Sequence, residues 1–356
     1  MMILLPPAHA AAIQGRIVLD VGNTWDGNRV LRPVVVYNGS IYMMWYSGGS
    51  GGVHDIGLAT SADGKTWTRY ARNPEFAPTP VMARGLTGEW DSNSIDEAWV
   101  LREGNQYKMW YSGQLWNPDG SIKNYLIGYA TSSDGISWSK YPGNPVLTVG
   151  APGSWDDKWA WRPIVIRQGS SYVMYYRGVS TQPETQAKAG LATSPDGIHW
   201  TKTTVLTMPP GGSGWDAFSR STGALNVGSV MRLGDLYIMG YTSIKTQTSP
   251  QEIGFASSPD GMNWTPFAGN PAITYGSSGW DSGGVSRPLV VVVGDNYYVY
   301  YDGSTPDLVP TRIALAILPM SQYPIPEYSS NATAMLTAVV MVLMAFLMMR
   351  PRLGHR

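Results

Sequence analysis

The chain has no cysteine among its 356 residues. That excludes a disulfide framework and any thiolate chemistry. Charge is sparse as well: Asp, Glu, Lys and Arg make up 14% of the residues, against about 25% in ordinary soluble domains. The 25 basic and 25 acidic residues cancel, so no cationic field points to nucleic acid. Four histidines are scattered at His9, His54, His199 and His355. That argues against a histidine-rich metal centre, and neither a metal nor a cofactor is expected. Long apolar runs are missing, with one exception near the C-terminus. In place of charge the chain carries 41 Gly, 21 Tyr and 15 Trp.

What is present is a repeat. A Trp-Asp pair recurs as Trp25-Asp26, Trp90-Asp91, Trp155-Asp156, Trp215-Asp216 and Trp280-Asp281, at steps of 65, 65, 60 and 65 residues. Each copy then holds an apolar run before a turn glycine, such as Ile164-Val165-Ile166 before Gly169. Short β-branched runs bounded by glycine are buried strands. Three residues past each glycine stands a tyrosine (Tyr42, Tyr107, Tyr172, Tyr237, Tyr297) that opens a second strand. A variable loop and a third strand follow, for instance Ile56 to Thr60. Then comes S-x-D-G-x-x-W, at Ser61 to Trp67, Ser132 to Trp138, Ser194 to Trp200 and Ser258 to Trp264. Asp-Gly between strands is a hairpin signal, and the Trp begins an outer strand. Each repeat is therefore a four-stranded antiparallel meander, and a strand repeat of this length reads as a propeller blade.

The fifth copy stops after its third strand, Ile313 to Ile317, without the last hairpin. Gly15 to Asp20 resembles the outer strand at Asn144 to Thr148. We expect the N-terminal strand to complete the last blade and close the ring, which removes free sheet edges. The expected fold is an all-β, five-bladed β-propeller over residues 15–320, followed by a single C-terminal transmembrane helix.

The two ends carry separate signals. Met1 to Pro7 followed by Ala8-His9-Ala10 reads as the remnant of a signal peptide over residues 1–14, with a disordered start as the plainer alternative. Ala332 to Met349 is an uncharged run of 18 residues, against about 20 for a bilayer span. The basic tail at 350–356, with Arg350, Arg352 and Arg356, would be cytoplasmic and the propeller extracellular. The linker at 321–331 contains Ile325-Pro326-Glu327-Tyr328, which resembles the archaeal Pro-Glu-Phe type of surface sorting signal, with Tyr328 in place of Phe. Asn38, Asn263 and Asn331 lie in N-x-S/T sequons.

A feature shared by every blade builds the blade, so the Trp-Asp pairs and the S-x-D-G-x-x-W hairpins are read as structural. The informative positions differ between copies. Seven residues before each turn glycine, at the axial start of the inner strand, stand Arg32, Glu97, Arg162, Val227 and Arg287. The second blade alone carries carboxylates there, Asp96 and Glu97; strand alternation would turn Asp96 away from Glu97 and toward an inner arginine or a backbone group. Loops on the same face add His54, Asp55, Trp116, Glu184, Arg220, Glu252 and Asp302, and Trp99, Trp159 and Trp161 lie nearby.

The pattern W-D…R-P…Y-x-M-W-Y-S-G…I-G-x-A-T-S-x-D-G-x-x-W…N-P-V-L resembles the five-bladed propellers of glycoside hydrolase families 43, 32 and 68, the arabinanase, invertase and levansucrase group. It spans residues 15–320. The resemblance implies carbohydrate as the partner and an acidic residue at the inner-strand start of each of the first three blades, acting as nucleophile or base, auxiliary acid and general acid. Here only Glu97 keeps that register; Arg32 and Arg162 occupy the other two positions.

Three readings follow. One is a glycoside hydrolase with Glu97 as acid or base and Asp96, Glu184 or Asp302 as the second carboxylate. Another is a glycan-binding module, with Arg32, Arg162, Arg287, Arg220, Trp99, Trp161, Trp116, His54, Glu184 and Asp302 around the ligand and an acidic sugar forked by arginine. The third is a structural surface protein in which Glu97 only neutralises its arginine neighbours.

Overall fold

The computed structural model describes residues 14–323, apart from 23, 73–76, 183–186, 207, 209–213 and 223–224. The leader-like start, the sorting-like motif, the apolar run Ala332 to Met349 and the basic tail lie outside the described residues. Among the described residues no helix is long and apolar enough to cross a membrane.

The chain opens with β1 (Arg16–Leu19) and then makes four meanders in succession. The first is β2 (Arg29–Tyr37), β3 (Tyr42–Ser50), β4 (Val53–Ser61) and β5 (Thr68–Arg69). The second is β6 (Ser94–Glu103), β7 (Gln106–Trp116), β8 (Ile122–Ser132) and β9 (Ser139–Lys140). The third is β10 (Trp159–Gln168), β11 (Ser171–Val179), β12 (Lys188–Ser194) and β13 (Thr201–Val205). A six-residue helix, α1 (Ala217–Thr222), leads into β14 (Asn226–Leu233), β15 (Leu236–Ser243), β16 (Glu252–Ser258) and β17 (Thr265–Pro266). The last blade is β18 (Gly284–Val293), β19 (Asn296–Ser304) and β20 (Thr311–Pro319).

Closure follows the sequence reading. β1 pairs antiparallel with β20, Arg16 facing Leu315 and Ile17 facing Ala314. The Gly15 amide donates to the Tyr301 hydroxyl at 2.8 Å. One parallel bridge, Arg29 to Thr311, joins the first blade to the fifth. The outer strands are shorter than expected: β5, β9 and β17 have two residues each, and the Trp that precedes each of them packs inward instead of pairing.

Apolar side chains lie on both faces of the blades, which is why the strands read as near-continuous apolar runs. The buried side chains form five clusters, each wedged between two neighbouring blades. Met44, Tyr46, Tyr300 and Leu315, for example, join the first blade to the fifth. The largest buried groups are Trp45, Trp110 and Trp264.

The repeated Trp-Asp pair is the lock of the first four blades. In the third, the Tyr176 hydroxyl donates to Asp156 Oδ2 at 2.9 Å, and Lys202 from the outer strand reaches the same oxygen at 2.5 Å. The Trp155 ring lies 5.4 Å from that of Tyr176. Gly178 is glycine for a steric reason: a Cβ there would stand 2.3 Å from Trp155. Tyr46 with Asp26, Tyr111 with Asp91 and Tyr241 with Asp216 repeat the contact at 3.0, 3.1 and 3.0 Å. The S-x-D-G-x-x-W turns are equally regular. Asp63 Oδ1 accepts from the Lys65 and Thr66 amides at 2.7 and 2.8 Å, and Asp260 does the same for Met262 and Asn263 at 2.8 Å each.

Asp156→Ala therefore removes a buried acceptor from Tyr176 and Lys202. Lys202 is 28% exposed and turns to water, so the cost is set mainly by the Tyr176 bond. We expect a loss of about 1.5–3 kcal/mol, the range for hydrogen bonds to charged groups, in urea unfolding followed by tryptophan fluorescence. An unchanged midpoint contradicts the lock.

Candidate axial site

The inner strands β2, β6, β10, β14 and β18 meet at the propeller axis, and each carries one extra residue against its partner strand near its start. At four of these bulges the axial residue adopts left-handed backbone: Arg32 (φ 59°), Glu97 (φ 52°), Arg162 (φ 60°) and Arg287 (φ 54°). This conformation is strained for residues with a Cβ. It is held by a clasp from the preceding blade. The Glu97 amide donates to Ser47 Oγ and the Arg162 amide to Ser112 Oγ, both at 3.0 Å. The Arg287 amide donates to Thr242 Oγ1 at 2.8 Å, and the Arg32 amide to Asp302 Oδ1 at 2.7 Å. The fourth blade departs from this pattern. The matching position of the blade before it is Arg177, which offers no acceptor, and Val227 is not left-handed.

The four axial side chains converge. Arg32 Nη1 donates to Asp96 Oδ2 at 2.5 Å, and its Nε lies 2.9 Å from Glu97 Oε1. Arg162 Nε donates to the same Glu97 oxygen at 2.8 Å, while its Nη1 donates to Asn226 Oδ1 at 2.7 Å. Arg287 Nη1 donates to Asp302 Oδ2 at 3.1 Å. Strand alternation does not separate Asp96 from Glu97, because the left-handed turn at Glu97 breaks it; both reach Arg32. The expectation that Asp96 serves an inner arginine is met. His54 is buried beside it, with Nδ1 3.5 Å from Asp96 Oδ2.

The charges are unevenly matched. Burial works against the Arg32 cation, but Asp96 and Glu97 outweigh it and raise its pKa. Burial also works against ionised Asp96, and Arg32 and His54 hold its pKa down at about 2. The others go the opposite way. Burial lowers Arg162 to about 10, against Glu97 and with help from Arg177 and Arg32. Burial lowers Arg287 to about 10, with Arg162 and Arg32 adding to it. Arg177, against Glu97 and beside Arg287, is likewise lowered to about 10 by burial. Burial raises Asp302, with Arg287 opposing. A guanidinium keeps its proton in proteins, so these depressions mark buried cations that the neighbouring carboxylates offset only in part.

Arg32, Glu97, Arg162, Val227 and Arg287 surround an axial recess. Trp99 is its floor. It also lines the apolar well of the opposite face, with Val34, Val100, Val165, Val230 and Val290. Its indole donates to the Val165 carbonyl at 2.7 Å, so the tunnel is plugged at that level.

The remaining sequence candidates divide. Asp302 belongs to the axial cluster. Trp161 is buried, stacked on Tyr125 at 5.5 Å with Arg177 5.8 Å from its ring centre; its ring is occupied by protein. Trp159 meets it edge-on at 5.7 Å. Trp116 stands further out and donates to Gln114 Oε1 at 2.8 Å. Asp55 caps the Arg84 amide at 2.9 Å. Glu252, half-buried, opens β16, and burial raises its pKa against the pull of Lys245. Arg220 is carried by α1, and its side chain lies outside what the structure describes, as does Glu184. Sequence reasoning missed Arg177, Tyr125 and Asn226. Arg177 had a signal: it replaces the serine of Tyr46-Ser47-Gly48 and Tyr111-Ser112-Gly113.

No family model matches the chain. A stretch of 174 residues, 47% of the chain, is 29% identical to an uncharacterised protein of Mycobacterium tuberculosis and covers 52% of it. The chain thus spans about half the length of the curated relatives it matches. Among solved structures, a glycoside hydrolase superposes with a TM-score of 0.67 at 19% identity, over 85% of this chain and 91% of its own. A thermostable family-43 glycoside hydrolase gives 0.61 at 17% identity, over 83% and 91%. The fold is the one these glycoside hydrolases use. At the inner-strand starts where the resemblance led us to expect three acids, this chain has Arg32, Glu97 and Arg162.

Trp99→Ala should open the axis from recess to well and cost about 3–5 kcal/mol, as large-to-small changes of aromatic side chains do. Urea unfolding measures the loss. A variant as stable as the parent contradicts the plug.

Proposed function

We propose that this protein is a glycan-binding propeller that takes an acidic sugar at the axial recess. The observation that carries the reading is the charge imbalance at the axis. Arg32, Arg162, Arg177 and Arg287 face only Asp96, Glu97 and Asp302. A sugar carboxylate entering beside Arg162 and Arg287 supplies the missing negative charge and accepts charge-assisted hydrogen bonds. The likeness to glycoside hydrolases supports carbohydrate as the ligand class.

Hydrolysis is the second reading, because Glu97 borders the recess and its Oε2 has no hydrogen-bond partner among the described residues. It is the weaker one. Glycoside hydrolysis usually uses two carboxyl groups flanking the bond, and here each axial carboxylate is engaged by an arginine.

Location is also part of the proposal. The recess lies at the starts of the inner strands, whereas β20, running parallel to β2, ends at Pro319 on the opposite face. The uncharged run Ala332 to Met349 follows that exit. An anchor there would hold the propeller outside the cell. Protease added to intact cells should then digest the propeller; complete protection sinks this part of the reading.

Calorimetric titration should detect galacturonic acid and little or no galactose. Arg162→Ala should weaken the acidic sugar about tenfold or more, since a charge-assisted hydrogen bond is worth about 1.5–3 kcal/mol, and leave any neutral sugar unchanged. Equal affinities for acidic and neutral sugars contradict the binding reading. Release of sugar from oligosaccharides by the parent, reduced about 10²–10⁴-fold in Glu97→Gln as expected for a lost acid or base, replaces it with the hydrolase.

A further inference from the structure

The axial recess is not closed on all sides. Arg32 and Arg287 also line a second and larger space, a groove running outward over the fifth blade to its seams with the first and fourth. Small residues make up much of its lining: Ser249, Gly283, Gly284, Ser286, Gly303 and Ser304. Leu308 stands on its rim, 60% exposed.

The groove carries its own cation. Arg29 lines it at the start of β2, and among the described residues its guanidinium has neither an ion pair nor a hydrogen bond. Burial lowers its pKa, and Arg32 and Arg287 lower it further. Asp302 is engaged elsewhere: its Oδ1 accepts from the Arg32 amide and its Oδ2 from Arg287. Positive charge therefore stands incompletely matched at two places, the axis and the groove, and Arg32 and Arg287 line both.

We infer that recess and groove form one extended site for an acidic oligosaccharide, with one anionic sugar at Arg162 and Arg287 and a second anionic group at Arg29. This rests on the reading of the axis as an acidic-sugar site and deepens it: the ligand is a charged chain of several sugars, not a monosaccharide or a neutral polymer. The small-residue lining accepts sugar rings lying flat, and the Leu308 side chain covers an apolar sugar face from the rim.

The test uses the full chain with three probes in calorimetry: galacturonic acid, tetragalacturonate, and fully methyl-esterified tetragalacturonate, which keeps the size and removes the charge. The parent should bind tetragalacturonate about tenfold or more tighter than the monomer, as a second charge-assisted contact predicts, and lose that gain with the ester. Arg29→Ala should erase the gain and leave monomer affinity unchanged. Leu308→Asp is a second variant. Position 308 has φ of +62°, a conformation that Asp tolerates better than Leu, so the fold should persist while the added negative charge repels the tetramer. If tetramer and monomer bind equally and neither variant separates them, the groove inference is overturned while the axial reading stands. If galacturonic acid itself fails to bind, the axial reading falls and takes this inference with it.

Discussion

One hydrogen bond between neighbouring blades sets the chemistry of this molecule. The amide of an axial residue is caught by a side chain of the preceding blade: Ser47 for Glu97, Ser112 for Arg162, Thr242 for Arg287 and Asp302 for Arg32. Left-handed backbone at a residue with a Cβ persists only when the surroundings over-determine it, and this clasp helps supply that constraint. The bulge takes the axial residue out of the strand's alternation, so that long side chains from separate blades meet at one point. Where the clasp is missing, at Val227, the arginine that replaces the acceptor, Arg177, joins the charged cluster.

The cluster that results is a compromise between burial and charge. Removing ions from water costs several kcal/mol each unless they are paired, and Arg32 with Asp96 and Glu97 meets that demand. Arg162, Arg287 and Arg177 do so only in part. A fold held together by five inter-blade apolar clusters and by repeated Tyr-Asp locks tolerates such a site. The cost falls at the axis, away from the contacts that close the ring. The same separation accounts for the contrast between the two kinds of Asp: Asp26, Asp91, Asp156 and Asp216 are equivalent and structural, while Asp96 and Asp302 are each particular to one blade.

Much of this was legible in the sequence because a repeat fixes register. Counting back from each turn glycine located Arg32, Glu97, Arg162 and Arg287, and the missing last hairpin located β1 on β20. Orientation was not legible. Strand alternation turns Asp96 away from Glu97, and only the left-handed turn brings both to Arg32. Trp161 looked available for a sugar ring, but Tyr125 arrives from β8 to occupy it, a pairing between blades that no local pattern encodes. Trp99 is a floor for the same reason: its neighbours come from several blades. Arg177 could have been found by asking which copies change the residue after the second tyrosine, a comparison as informative as the one made at the axial position.

The central claim is that the axial arginines await an anion carried by a sugar. A crystal structure of the chain grown with galacturonic acid tests it most directly. The account predicts the sugar in the recess above Trp99, its carboxylate within hydrogen-bond distance of Arg162 or Arg287, and Glu97 still bridging Arg32 and Arg162. A sugar bound with its carboxylate in solvent, or seated in the apolar well on the opposite face, would contradict it.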